Sequence, residues 1–167
     1  MLDAGRSSSP IRTRSGTLAL AALLMTGSGL GLSVPMTGWA ATDSSGATWA
    51  DSAGACVLHE EKLTQPYPTF DTADAARTFA IKVQSALLGQ TEGGQKLSSV
   101  VTQPVDRAGK WTVMAAYLFT QQDVQYRATQ LYISDGGKLR TITGSNADGE
   151  ASACVGQMRE FLRFLAD

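Results

Sequence analysis

The chain is poor in the groups that carry catalysis. It has one histidine, His59, and two cysteines, Cys56 and Cys154. With a single imidazole, any general base or serine-activating histidine has to be His59. No Gly-x-Ser-x-Gly elbow occurs. No Gly-Lys-Ser/Thr sequence closes a glycine-rich loop, so a phosphate cradle is not indicated. Cys-x-x-Cys-His is absent, which excludes a c-type haem attachment, and the cysteines lie too far apart in sequence for a Cys-x-x-Cys thiol oxidoreductase. Cys56-Val57-Leu58-His59 resembles half of a zinc site, but no second ligand pair accompanies it. No cofactor is expected.

Basic blocks are missing as well. The formal net charge is −1, and Lys and Arg are scattered. Non-specific nucleic-acid binding needs clustered cations to displace phosphate counterions, so nucleic acid is not an expected partner.

What is present begins with an address. Arg6, Arg12 and Arg14 precede an apolar run from Leu18 to Met25, and Gly38-Trp39-Ala40 puts small residues at the −3 and −1 positions of a cleavage after Ala40. This pattern predicts a secretory signal peptide over 1–40. The strongly apolar part is too short to span a bilayer comfortably, so no membrane span is expected after cleavage. Without the leader, which carries a net +2, the remainder carries −3. The expected location is the periplasm, or outside the cell. Residues 41–55 are mostly Thr, Ser, Gly, Ala and Asp and read as a flexible leader to a single domain over 56–167. In an exported protein two cysteines generally pair, so a Cys56–Cys154 disulfide is expected.

Residues Val57–Phe70 carry Pro66 and Pro68 and read as irregular or extended. Asp71 or Thr72 then caps a helix over about 72–88, with Ala75, Ala76, Phe79, Val83, Ala86 and Leu87 on one face. Four strands follow: Leu97–Val105, Lys110–Thr120, Val124–Ser134 and Lys138–Gly144. The last join, Asp135-Gly136-Gly137, is a strong hairpin signal. Lys138–Gly144 is short and thinly apolar, as an edge strand would be. A second helix over about 150–166 carries Cys154, Val155, Met158, Phe161, Leu162 and Leu165 as an apolar stripe. The predicted fold class is α+β: a four-stranded antiparallel meander (about 97–144) flanked by an N-terminal and a C-terminal helix. In layout alone this resembles several small exported α+β domains, among them the extrinsic subunits of photosystem II. No motif of the chain carries that likeness, and no activity follows from it.

Function is then sought on the surface. Trp111, Tyr117, Tyr126 and Tyr132 are expected on one sheet face. Aromatics beside cations are typical of recognition surfaces, and aromatics are also typical of a sheet packed under a helix, which is the expected role of these four unless a helix leaves part of the sheet open. Tyr126, Arg127, Lys138 and Arg140 are the candidate binding residues, on whatever part of the sheet the helices leave open. The reading is a non-catalytic exported binding or accessory domain, of inhibitor or immunity type among others, whose partner is a periplasmic protein or a small ligand. The alternative is a small periplasmic hydrolase using His59 with Glu60 or Glu61.

Overall fold

The computed structural model describes residues 31–92, 95–107 and 109–166. Among them the elements run β1 (Trp39–Ala41), β2 (Thr48–Asp51), β3 (Cys56–Pro66), α1 (Ala73–Gly89), β4 (Thr91–Glu92), β5 (Gln95–Lys96), β6 (Ser98–Arg107), β7 (Lys110–Gln121), β8 (Val124–Asp135), β9 (Lys138–Ala147) and α2 (Ala153–Ala166). Seven strands make one sheet in the order β1-β2-β3-β9-β8-β7-β6, and β4 pairs only with β5. Every pairing in the large sheet is antiparallel.

This corrects the expected four-stranded meander. The sheet is nearly twice as wide, and the first helix is flanked by strands on both sides. The difference lies before Phe70. Cys56–Pro66 is a strand, in register with its neighbour as far as Lys62 and irregular between Lys62 and Pro66, and Pro66 and Pro68 fall at or beyond its end, where no ladder N–H is needed. It pairs with β9 from Cys56↔Asn146 to Lys62↔Arg140. β9 is therefore an interior strand, between β3 and β8, and not the edge expected of it. Residues 41–55, expected as a leader to the fold, contain β2 and the turns around it. In the β1–β2 turn, Asp43 accepts bonds from the Ser45 hydroxyl and from the Ser45, Ala47 and Thr48 N–H groups. The Ser45 hydroxyl above all, then Thr48 and Ala47, holds its carboxyl well below the usual carboxylate range.

The helices cover opposite faces of the sheet at opposite ends. α1, N-capped by Thr72 through a bond from the Ala75 N–H, packs mainly on β6 and β7. Its Ala76, Phe79, Ala80, Val83 and Leu87 meet Val113, Ala115, Phe119, Ala128, Tyr132 and Leu139 in one core. Thr102 Oγ1 donates to the Ala80 carbonyl at 3.0 Å and ties β6 to the helix. On the other face, α2 packs on β9, β3 and β8. Its Cys154, Val155, Met158, Phe161 and Leu162 join Cys56, Leu58 and Ile142, together with Leu32, Val34 and Trp39 from the chain before β2. The Cys56–Cys154 disulfide, with Cα atoms 6.0 Å apart, ties the start of β3 to the start of α2.

The thin apolar content of β9 has a packing reason. A Cβ at Gly144 would lie 2.8 Å from Met158 Sδ and 3.0 Å from Leu162 Cδ1, so α2 sits almost on the backbone there. Met158 can move aside for one methyl, but a branched side chain has to lift the helix. Gly144→Val is expected to cost about 1–3 kcal/mol by overpacking. A lowered urea midpoint with unchanged slope is the expected reading, and an unchanged midpoint would remove this contact from the account.

Candidate functional site

Because strand side chains alternate between faces, the register decides which candidate residues can meet. Tyr126 and Tyr132 lie on the α1 face, where Tyr126 stacks on Phe119 with ring centroids 5.3 Å apart. Arg127 and Arg140 have the other parity. Arg127 stands opposite Asn146, whereas Arg140 stands opposite Ile133. Six residues of β8 separate the two partners, roughly 20 Å at strand rise. Arg127 is taken by Asp148, through Nε and Nη2 at 3.1 and 3.0 Å. Arg140 donates to Glu60, whose second oxygen faces Lys62 Nζ at 3.5 Å. Lys138 is exposed beside the β8–β9 turn, opposite Asp135. The structure thus puts Arg140 and Lys138 at one end of the sheet and Tyr126 and Arg127 at the other, with Tyr126 on the opposite face.

The residues of the hydrolase reading are also separated. His59 and Glu60 are consecutive in β3 and point to opposite faces. His59 Nδ1 shares a hydrogen bond of 2.9 Å with Thr48 Oγ1. Glu60 is buried on the α2 face with both oxygens occupied by Arg140 and Lys62. Glu61 is on the His59 face but exposed, two positions along. Asp51, Cys56 and Cys154 also lie together, but both sulfurs are in the disulfide and Asp51 Oδ1 accepts the Cys56 N–H, so the group offers no metal-ligand set.

Two features remain that sequence reasoning did not single out. The first is a shallow groove of about 320 Å³ between Tyr67–Phe70 and the flank of α1. Its walls are the rings of Tyr67, Phe70 and Phe79, with Asp74 and Lys82 toward its ends. Phe79 stacks on Phe70 at 4.6 Å and meets Tyr67 and Tyr132 edge-on, so these rings chiefly bury one another. Burial, aided by the neighbouring Tyr117, Tyr67 and Glu61, pushes the Tyr132 phenol above the ordinary tyrosine range, so it stays neutral and donates to Gln130 Oε1 at 2.8 Å.

The second is the strip of β6 and β7 on the face that α2 occupies further along. α2 packs on β9, β3 and β8, and the strip lies outside that footprint. It presents Val101, 60% exposed, with Ala116 directly opposite, then Gln103 opposite Met114, and Leu118 beside Arg127. Met114, Ala116 and Leu118 are half-buried. Pro104 and the irregular register between Ser98 and Val101 break the outer edge of β6, which discourages strand-to-strand addition and leaves the face as the usable surface. The strip's apolar side, Met114, Ala116 and Leu118, is readable in Lys110–Thr120, both sides of which are largely apolar. That α2 stops short of it is not, because this follows from the width of the sheet.

No protein-family model matches the chain, and no characterised protein matches it in sequence. Among solved structures, the solution structure of cyanobacterial PsbP (CyanoP) from Synechocystis sp. PCC 6803 is similar over 68% of this chain and 72% of that one, at 19% identity and a TM-score of 0.43. A likeness of that degree transfers no residue role and no activity. Among the described residues no helix is long and apolar enough to cross a membrane.

Proposed function

We propose that the chain is an exported, non-catalytic accessory domain that docks a partner protein through the β6–β7 strip, in the periplasm or outside the cell. The export half rests on the charged, apolar and small-residue order of the first residues, supported by the disulfide. The docking half rests on one observation: Val101, Met114, Ala116 and Leu118 form an apolar sheet surface outside the footprint of α2. Two strands at sheet spacing over about six residues give the patch on the order of 200 Å². A protein interface takes roughly 800 Å² from each partner, so the patch serves as the dry centre of a larger contact, with polar residues such as Gln103 and Arg127 at its rim. The ring-lined groove along α1 is a concave alternative, and its rings are already packed on each other.

Val101→Glu with Ala116→Glu should weaken capture of the partner from the exported fraction at least tenfold, because two carboxylates then face an apolar surface. Ile81→Glu on the outer side of α1, where Ile81 is 65% exposed, should leave capture unchanged. Equal retention by all three proteins would refute the strip. A dimer that sedimentation detects and the strip variant dissolves would instead assign the surface to self-association.

A further inference from the structure

The leader expected from the sequence ends at Ala40, but the fold uses the residues just before that point. Leu32, Val34 and Trp39 are 4%, 7% and 8% exposed and belong to the core beneath α2. Trp39 Nε1 donates to Gln157 Oε1 at 3.0 Å, a bond from β1 to α2. β1 pairs Trp39↔Asp51, Ala40↔Ala50 and Ala41↔Trp49, so removal of everything through Ala40 takes two of its three residues. Gly31 packs its backbone on the β1–β2 turn so closely that a Cβ there would lie 2.5 Å from the Ser45 carbonyl oxygen. The small residues of that expected cleavage site also have structural roles. Gly38, at φ +83°, makes the turn in which the Trp39 N–H bonds the Met36 carbonyl, and Ala40 is a strand residue.

We propose that the signal peptidase cuts between Gly29 and Leu30, and that residues 31–41 stay in the exported protein as its first strand and the approach to it. This rests on the export reading above. Gly27 and Gly29 supply the small residues at −3 and −1, four residues beyond the end of the apolar run at Met25. Hydrolysis of that one peptide bond consumes one water and leaves a carboxylate on Gly29 and a free amine on Leu30. Cleavage precedes folding, so burial does not obstruct the peptidase; it determines which product has a complete core.

The test is the N-terminal sequence and intact mass of the full chain after expression and export. A start at Leu30 supports the proposal. A start at Ala41 overturns it and leaves the export reading standing. Recovery of an exported protein that still begins at Met1 overturns the cleavage and leaves the export reading standing, and recovery of none outside the cytoplasm overturns both. Independently, purified chains starting at Leu30 and at Ala41 should differ in thermal midpoint by on the order of 10 °C, because Leu32, Val34 and Trp39 are lost. Equal midpoints would show that the segment is dispensable and would contradict the proposal.

Discussion

Removing the Cys56–Cys154 bridge is expected to lower the stability of the folded domain by about 4–5 kcal/mol, since a bridged loop of roughly 100 residues removes that much chain entropy from the unfolded state. The two cysteines are 98 positions apart. The bridge joins β3, an interior strand, to the first turn of α2, both in the same core. α2 touches the sheet over fewer residues than α1 does, so the covalent tie is a large part of what keeps it in place. Against a total of about 5–15 kcal/mol for a domain, such a loss is severe. Guanidinium unfolding of the native protein and of a Cys56→Ala/Cys154→Ala variant would measure it. A difference below about 1 kcal/mol would mean that packing alone seats α2.

Glu60→Ala is expected to cost about 3 kcal/mol. Glu60 is 5% exposed, and its side chain accepts from Arg140 while facing Lys62 at 3.5 Å. Truncating the acid leaves a guanidinium only 26% exposed without its counter-charge. Loss of one partner of a buried pair typically costs 3–5 kcal/mol, and the partial exposure of Arg140 puts this case at the low end. Replacing both partners by apolar groups, as in Glu60→Leu/Arg140→Met, should recover most of the loss, because no charge is then stranded. A double variant as unstable as Glu60→Ala alone would show that the pair was not the cause. Activity does not enter this test, which separates a structural Glu60 from the catalytic one considered with His59.

The helices and the strands β6 to β9 were legible from their local side-chain pattern. α1 and α2 each carry an apolar stripe, Lys110–Thr120 is apolar on both sides as a central strand is, and Val124–Ser134 alternates. β3 was hidden by Glu60. Its inward positions are Cys56, Leu58 and Glu60, and a carboxylate at the third breaks the apolar pattern unless Arg140, eighty residues away, is known to face it. β9 looked like a short edge strand over Lys138–Gly144 because its Thr141 and Gly144 are polar or small. They are buried, and at Gly144 the reason is that α2 approaches the backbone. β1 and β2 are only three and four residues long, too short for any period to show. The candidate contact residues were chosen from neighbouring strands. That Tyr126 and Arg127 take opposite faces follows from parity alone, but the distance between Arg127 and Arg140 depends on the register of β8 against β9.

The role of the β6–β7 strip is tested most directly by site-specific photocrosslinking in the exported fraction. A photoreactive residue at position 101 or 116 should form one discrete adduct with a single partner protein, and the same residue at position 81 should form none. Adducts from position 81 with none from 101 or 116 would place the contact on the α1 side and contradict the account.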